Sequence, residues 1–530
     1  MVGFRARSAL LVLTSVAAGL AVVAAATSAS PRAKIKNGGT LTIALESDPD
    51  ALDPTLARTF VGRMVFAHMC EKLYDLNAKL EIVPQLAASM PKLSADKKTV
   101  TIKLRKGIKF NDGTAFDAAA VKASLDRHKT LPRSTRASEL APVDSVDVVN
   151  NTTVALHLND RYSPLTAQLA DRAGMILSPK AINELGDRFA TNPVCVGPFM
   201  FKERVAGDHI TLTKSPSYYD RKKVHLDSIV FKIIVEPAAR AANLRSHDVD
   251  AISALASTEL QGVKNDKSLR VIKTTSIGYQ GITLNIGNKN GLNKAYENVG
   301  TQIARSADLR KAFELALDRK AINKVVFGGT VLPDCFPWAP STPWYAATKG
   351  IPCKLTADVA AAKAAFKRSG ASEPVDIHLM VANDAVNARL GAVIQGMEKP
   401  IGFNVIVEPT EFATALNRED AGNFQTFAVG WSGRVDPDGN FYQFVNSKGS
   451  QNDSGYVNAV VDRATDAARK AVSQKARIID YHAAMAQVAK DLPIIFLYHA
   501  VNRDAQSKRV SGIKLYGDGL IRAAFAGFNQ

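Results

Sequence analysis

The stretch TVTIKLRKGIKFNDG, residues 99–113, carries the strand and turn signals that decide the fold class. Apolar and polar residues alternate over 99–104, which is typical of a half-buried strand, and 107–110 continue that pattern. The tripeptide Asn111-Asp112-Gly113 is a strong turn signal. The stretch therefore predicts a β-hairpin.

Strand-like and helix-like patterns alternate on both sides of this stretch, with no repeat of fixed period. Upstream, GTLTIAL (39–45) predicts a strand that ends in the loop ESDPD (46–50). Loops at strand ends of open α/β sheets commonly bind ligands. Downstream, Asp117 is a predicted N-cap for a helix over 118–128. The alternation indicates an α/β protein.

A second α/β series occupies the C-terminal half of the chain. Its predicted helices cover 308–317, 319–326, 359–368, 387–399 and 411–418, and its predicted strands cover 375–381, 404–408 and 425–429. Two α/β bodies are therefore expected. The segments near Tyr279 and Leu497 are the predicted crossings between them, and a strand over 494–499 would lead the C-terminal tail back to the first body.

The N-terminus has the layout of a secretory signal peptide. Arg5 and Arg7 precede an Ala-rich apolar run over 10–26, and small residues follow that suit a cleavage site. A single membrane anchor is the alternative, but the run is short and rich in Ala rather than Leu. We expect residues 1–29 to be removed and the mature protein to reach the periplasm.

The basic composition does not indicate a nucleic-acid partner. The formal net charge is +17 over 530 residues, but Lys and Arg are spread along the chain rather than gathered with aromatic residues. We expect a solvated basic surface, which can attract anionic ligands.

Four cysteines in an exported chain suggest disulfides. Closing the loop between Cys335 and Cys353 is the economical choice and leaves Cys70 to pair with Cys195. Isolated buried thiols are the alternative.

Several motifs, in this order and spacing, carry a resemblance to a known family. They are GGTL (38–41) with Asp53-Pro54, VPQLA (83–87), LRKGIKFNDG (104–113), Asn192-Pro193 with VGPF (196–199), LRKAF (309–313) and GW (430–431). The chain resembles the family 5 extracellular solute-binding proteins of ABC importers, which include dipeptide- and oligopeptide-binding proteins.

The resemblance implies a two-lobed periplasmic binding protein of the type II, large peptide-binding class. The first lobe would cover residues 30–279 with an extra subdomain inserted at about 64–203, the second lobe 280–498, and the return to the first lobe 499–530. Such receptors have no catalytic residues, metal or cofactor. We expect a monomer that closes over a small-molecule or peptide ligand and then meets the permease subunits in the inner membrane.

The family also implies where ligand contacts lie. In dipeptide-binding relatives the Asp of a Gly-Trp-x-Gly-Asp stretch holds the ligand's amino group, and the matching stretch here is GWSGR (430–434). Arg434 stands at the Asp position. A guanidinium repels an ammonium group and suits a carboxylate or phosphate. The ligand is therefore expected to be anionic or polar, unless Asp436 and Asp438 neutralise Arg434 within the protein.

Other candidates complete the predicted ligand-binding set. They are Trp431 as a flat wall of the cleft, Gly430, Asp436, Tyr279 near a crossing, and Ser47 with Asp48 in the loop after the first strand. A core role for Trp431 and an ordinary turn at 47–48 are the alternatives. A secreted hydrolase is the competing class of function, although the sequence has no G-x-S-x-G, H-E-x-x-H or Walker-type motif.

Overall fold

The computed structural model describes residues 34–292 and 294–530, so the predicted signal peptide lies outside the described residues. Two large mixed sheets, each covered by helices, form the centres of two lobes. Each lobe has its own buried apolar core. The α/β prediction is confirmed.

A seven-stranded sheet forms the centre of the first lobe. Its strands, in order across the sheet, are Leu269–Thr275, Val501–Ser507, Ala251–Ile252, Thr40–Leu45, Ser228–Ile233, His209–Lys214 and Phe199–Val205. The predicted strand Thr40–Leu45 lies near the middle and pairs in parallel with both of its neighbours. Leu41, Ile43 and Leu45 are fully buried in one apolar cluster and Ala44 in another, as expected for a central parallel strand that is covered on both faces.

A smaller four-stranded antiparallel sheet lies within the predicted insertion. Its strands are, in order, Lys92–Leu93, Thr99–Lys103, Thr153–Leu158 and Val143–Asn150. The helix Ala118–Thr130 contacts this sheet and is capped by Asp117, whose side chain accepts a hydrogen bond from the Ala120 amide at 2.9 Å. The predicted N-cap is confirmed.

The hairpin predicted from residues 99–113 is wrong as an extended pairing. The strand Thr99–Lys103 pairs with Thr153–Leu158, whereas residues 107–110 form no strand. The turn itself exists, because the Gly113 amide donates to the Phe110 carbonyl at 2.9 Å and an isolated bridge joins Lys109 to Ala115. The strand pairs instead with a segment that is distant in the sequence. Local alternation of apolar and polar residues does not reveal such a partner.

A six-stranded sheet forms the centre of the second lobe. Its strands, in order, are Leu332–Pro333, Ile494–His499, Tyr279–Leu284, Thr426–Trp431, Val375–Ala382 and Phe403–Thr410. Its helices are Gln302–Arg305, Ala307–Ala316, Arg319–Phe327, Val359–Arg368, Ala385–Glu398, Phe412–Asp420, Tyr442–Val445, Ala459–Lys470 and Gln474–Asp491. The helices and strands predicted for this half are confirmed within three residues at each end.

The remaining elements belong to the first lobe. Its other helices are Phe60–Met69, Ala137–Leu140, Leu165–Gln168, Pro179–Leu185, Pro237–Arg245 and Leu260–Asn265, and its two-stranded ladders join Tyr74–Leu76 to Ile82–Pro84, Val510–Ser511 to Gly527–Phe528, and Lys514–Leu515 to Ile521–Arg522.

Two adjacent crossings connect the lobes. One runs through residues 276–278, between a strand of each large sheet, and the other runs through Ala500. The Ser276 amide donates to the Ala500 carbonyl at 2.9 Å, and His499 Nδ1 lies 2.6 Å from the Gly278 carbonyl oxygen. The crossings therefore lie side by side, which is the arrangement a hinge between rigid lobes requires.

Both predicted disulfides are present. Cys70 is bonded to Cys195, and Cys335 to Cys353. The first bridge joins the end of the helix Phe60–Met69 to the segment that precedes the strand Phe199–Val205. It therefore joins the two ends of the stretch 70–195, which contains the four-stranded sheet.

Candidate functional site

Buried aromatic residues of the second lobe, which we call the aromatic wall, include the predicted ligand contacts Tyr279 and Trp431, whose contact with a ligand stays a prediction. Tyr279 and Trp431 are directly opposite each other on neighbouring strands, and Phe444 packs edge-on against both, with ring centroids 6.0 and 5.0 Å away. Gly430 lies beside Gln280, whose side chain would be 2.2 Å from a Cβ at position 430. Gly430 thus allows close packing of the wall.

The turn after Trp431 places Arg434. Gly433 has a φ of +84°, and a Cβ there would lie 2.4 Å from the Gly278 amide nitrogen. Only glycine combines this backbone conformation with so close an approach to the hinge. Asn440 then holds the Arg434 backbone, accepting from its amide at 2.6 Å and donating to its carbonyl at 2.9 Å.

The Arg434 guanidinium reaches across to the first lobe. Its carbon lies 4.2 Å from the centre of the Trp431 ring, and its Nε pairs with Oδ2 of Asp171. Nη1 donates to the Gly433 carbonyl at 2.9 Å. Nη2 is buried and has no acceptor among the described residues. Arg434 therefore contacts the first lobe through Asp171 and keeps N–H groups at Nη2 without an acceptor in the described parts of the chain.

The first lobe contributes three more buried arginines. Arg63, on the helix Phe60–Met69, donates from Nε to Asp171 at 3.2 Å and from Nη1 to Ser432 at 3.0 Å. Arg136 donates from Nη1 to Glu139 at 2.5 Å. Arg172 follows Asp171 in the chain. We call the set Arg63, Arg136, Arg172, Arg434, Asp171 and Glu139 the arginine cluster.

The arginine cluster holds four guanidinium groups and two carboxylates. Although burial alone would raise it, Arg434 and Arg63 hold the pKa of Asp171 well below its usual value. Burial and the neighbouring Arg63 lower the pKa of Arg434 to about 9. Burial raises the pKa of Glu139 despite the nearby Arg136. Burial shifts the pKa of all three groups towards the neutral form, and the excess of positive charge lowers the pKa of Asp171 and of Arg434.

The two carboxylates expected as possible neutralisers of Arg434 have other partners. Asp436 accepts two hydrogen bonds from Arg477, at 2.6 and 2.7 Å. Asp438 accepts from Arg469 Nε at 2.6 Å and from Gln168 of the first lobe at 3.0 Å. The partner of Arg434 is Asp171, and Asp436 lies in a separate ion pair. Asp436 as a ligand contact stays a prediction.

The loop after the first strand lies apart from the arginine cluster's hydrogen bonds. Asp48 accepts from Arg204 Nη2 and from the Gly207 amide, each at 2.8 Å, and Ser47 beside it is half-buried. Roles for Ser47 and Asp48 in ligand binding stay predictions.

A second charged contact joins the lobes. Arg58 of the first lobe pairs with Asp420, and its Nη2 lies 3.6 Å from Asp453 Oδ2. Burial raises the pKa of Asp453 to about 7 although Arg58 opposes this, and burial likewise raises the pKa of Glu419 well above its usual value. We call Arg58, Glu419, Asp420 and Asp453 the acidic contact.

Sequence reasoning missed Arg63, Arg136, Asp171 and Arg172. All four lie in the first lobe, far along the chain from GWSGR, and are brought to it by the fold. The one local signal was the Asp171-Arg172 pair within the otherwise mostly apolar stretch 165–177.

Residues 34–292 and 294–530 contain neither a candidate membrane-spanning helix nor a candidate metal-binding cluster. No helix there is long and apolar enough to cross a membrane. No group of three or more His, Cys, Asp or Glu side chains is placed to hold a metal ion in that part of the chain.

Two lobes joined by paired crossings, with polar and aromatic side chains between them, define a two-lobed binding protein of the type II peptide-binding class. Residues 81–453 match the family described as bacterial extracellular solute-binding proteins, family 5. The chain belongs to this family, and the resemblance inferred from its motifs is confirmed.

Similar proteins support the same class. The glutathione-binding protein GsiB of Pectobacterium atrosepticum is 28% identical over 55% of this chain, a match that spans only 54% of GsiB. Protein XP55 of Streptomyces lividans is 27% identical over 97% of this chain and 94% of its own length. The periplasmic binding protein DppA of Helicobacter pylori, solved with the peptide STSA, superposes with a TM-score of 0.84 at 22% identity, covering 93% of this chain and 99% of DppA. The DppA likeness shows the shared fold.

Proposed function

We propose that the protein is the solute-binding component of an ABC importer, which captures a peptide-like or other small polar or anionic solute between its lobes and delivers it to the membrane permease. Family membership and the two-lobed fold support this role. The observation that carries it is the cross-lobe pair Arg434–Asp171, because these two groups come from different lobes and meet when the lobes are closed, while Arg434 also lies over Trp431 of its own lobe. We place the protein in the periplasm.

The preference for an anion rests on the exchange of Asp for Arg at position 434. A guanidinium offers two parallel donors to a carboxylate or phosphate and repels a free amino terminus. GsiB is named for binding glutathione, a tripeptide, which supports a peptide-like solute.

The test begins with the solute itself. Mass spectrometry of small molecules that co-purify with the periplasmic protein identifies candidates, and small-angle scattering of stripped protein with each candidate measures closure. A solute at 100 times its Kd adds about 2.7 kcal/mol to the free energy of unfolding, which a thermal-shift assay detects. We expect one candidate to reduce the radius of gyration and raise the Tm together.

Two results would contradict the proposal. One is a scattering curve that stays unchanged with every co-purified solute. The other is chemical turnover of a peptide or ester by the purified protein, which would favour the secreted hydrolase. Calorimetry with Arg434→Ala then tests the site, since unchanged affinity for the identified solute would place Arg434 outside it.

A further inference from the structure

Three buried arginines outside the arginine cluster are each paired with a carboxylate. Arg477 pairs with Asp436, Arg469 with Asp438, and Arg127 with Asp53, with nitrogen–oxygen distances of 2.6 Å in each pair. Each pair satisfies the rule that a charge removed from water needs a countercharge. Two other buried arginines, Arg240 and Arg310, have no paired carboxylate among the residues that the structure describes and instead each donate three hydrogen bonds to backbone carbonyls.

Within residues 34–292 and 294–530, Arg172 has neither a paired carboxylate nor a full set of backbone acceptors. Its side chain is fully buried, and its single hydrogen bond runs from Nη1 to the Ala57 carbonyl at 2.7 Å. Among the described residues no carboxylate lies within 4.0 Å of it, and Nε and Nη2 have no acceptor. Burial and the neighbouring Arg136 lower its pKa well below the usual value. The Arg172 guanidinium therefore keeps N–H groups at Nε and Nη2 that have no acceptor in the part of the chain that the structure describes.

The second lobe supplies further donors of the same kind. Arg434 Nη2 and the Trp431 indole Nε1 are both buried and have no acceptor within the described parts of the chain. Arg172 and Arg434 thus come from opposite lobes and each keeps free N–H groups. Asp171 and Glu139 offset only part of the positive charge that closure brings together, and an anion between the lobes would offset the rest.

We propose that the arginine cluster binds a solute carrying two negatively charged groups, and that Arg172 determines this specificity. One group accepts from Nε and Nη2 of Arg172. The other accepts from Arg434 Nη2 and the Trp431 indole. This inference rests on the proposed import function and adds the charge of the solute. The arginine cluster has two more guanidinium groups than carboxylates, and two negative charges on the solute would offset that excess.

The first test needs no ligand. Arg172→Gln removes an unneutralised buried charge, so the stripped variant should melt at a higher temperature than the native protein. Arg127→Gln is the matched control, because it removes an arginine paired with Asp53 and should lower the Tm. A fall in Tm for Arg172→Gln comparable to that of Arg127→Gln would show that Arg172 is structural and would overturn the proposal.

The second test uses two probes of matched shape. Glutamyl-glutamate carries two more carboxylates than glutaminyl-glutamine, and calorimetry should show at least about tenfold tighter binding of the acidic peptide. Arg172→Gln and, separately, Arg434→Gln should abolish that preference, whereas Arg127→Gln should retain it. Inorganic phosphate at the same concentrations should bind weakly to a site for two separate acidic groups. Tight binding of phosphate would instead indicate a simple phosphate site and overturn the proposal.

Equal binding of the two peptides, or binding of neither, would overturn the dianion proposal. The import role fails on a different readout, the absence of closure with any co-purified solute. A receptor that closes on a neutral solute and ignores glutamyl-glutamate would therefore keep its proposed function and lose only this inference.

Discussion

Arg434 of the second lobe pairs with Asp171 of the first, so a single carboxylate links the two lobes at the arginine cluster. Asp171 also accepts from Arg63, on its own lobe, at 3.2 Å. It therefore separates two guanidinium groups that would otherwise repel each other when the lobes close. The stability of the closed form should depend on this carboxylate.

Asp171→Asn should shift the protein that has its co-purified solute bound towards the open form. Without the carboxylate, Arg63 and Arg434 face each other uncompensated, so the closed form becomes less populated and the radius of gyration increases. Small-angle scattering at low salt measures the change. Asp147→Asn, which alters an exposed carboxylate on the inserted sheet, is the control and should scatter as the native protein does. Identical curves for both variants would remove Asp171 from the closure mechanism.

Gly433→Ala should destabilise the protein more than Gly329→Ala. Both glycines have positive φ, +84° and +77°, so alanine is strained by about 1 kcal/mol or more at either position. Only at Gly433 would the Cβ also meet backbone, 2.4 Å from the Gly278 amide nitrogen, which adds roughly 1–3 kcal/mol of overpacking. Denaturant unfolding of the two variants gives the difference. Equal losses would mean that the hinge relaxes around the new methyl group.

The two disulfides should contribute unequally to stability. Cys70–Cys195 closes a separation of 125 residues and Cys335–Cys353 one of 18. In the chain-entropy description, the long loop stabilises by nearly 5 kcal/mol and the short one by about 3 kcal/mol. Denaturant unfolding of the two paired Cys→Ala variants tests this ranking. A larger loss for the short loop would show that entropy of the unfolded chain does not dominate here.

The sequence was informative for most local features, although the hairpin predicted at residues 99–113 is wrong. The cap at Asp117, the helix Val359–Arg368 and the strand Thr40–Leu45 follow from capping residues and periodicity, and the structure has them. The arginine cluster could not be read in this way, because Asp171 and Arg434 are 263 positions apart and meet only through the closure of the lobes. Comparison with the Gly-Trp-x-Gly-Asp motif of the relatives did identify Arg434, which stands at the position of the motif's Asp.

The acidic contact should make stability depend on pH. Asp453 has a pKa of about 7 in the folded protein, well above the usual value of an unfolded Asp, so the folded state holds more protons between about pH 4 and 7.

Stability therefore falls as pH rises through that window, by at most about 1.4 kcal/mol per pH unit from this group. Arg58 lowers the pKa of Asp453 and so opposes this dependence on pH, whereas Asp420 raises that pKa. Glu419 also has a raised pKa, but it is present in every variant and so does not alter the comparison. Asp453→Asn cannot ionise, so its free energy of unfolding relative to the native protein should increase steadily from pH 4 to 7. Denaturant unfolding across this range measures the difference, with the exposed Asp376→Asn of the same lobe as the baseline. A difference that does not change with pH would mean that Asp453 is ionised throughout, held by Arg58.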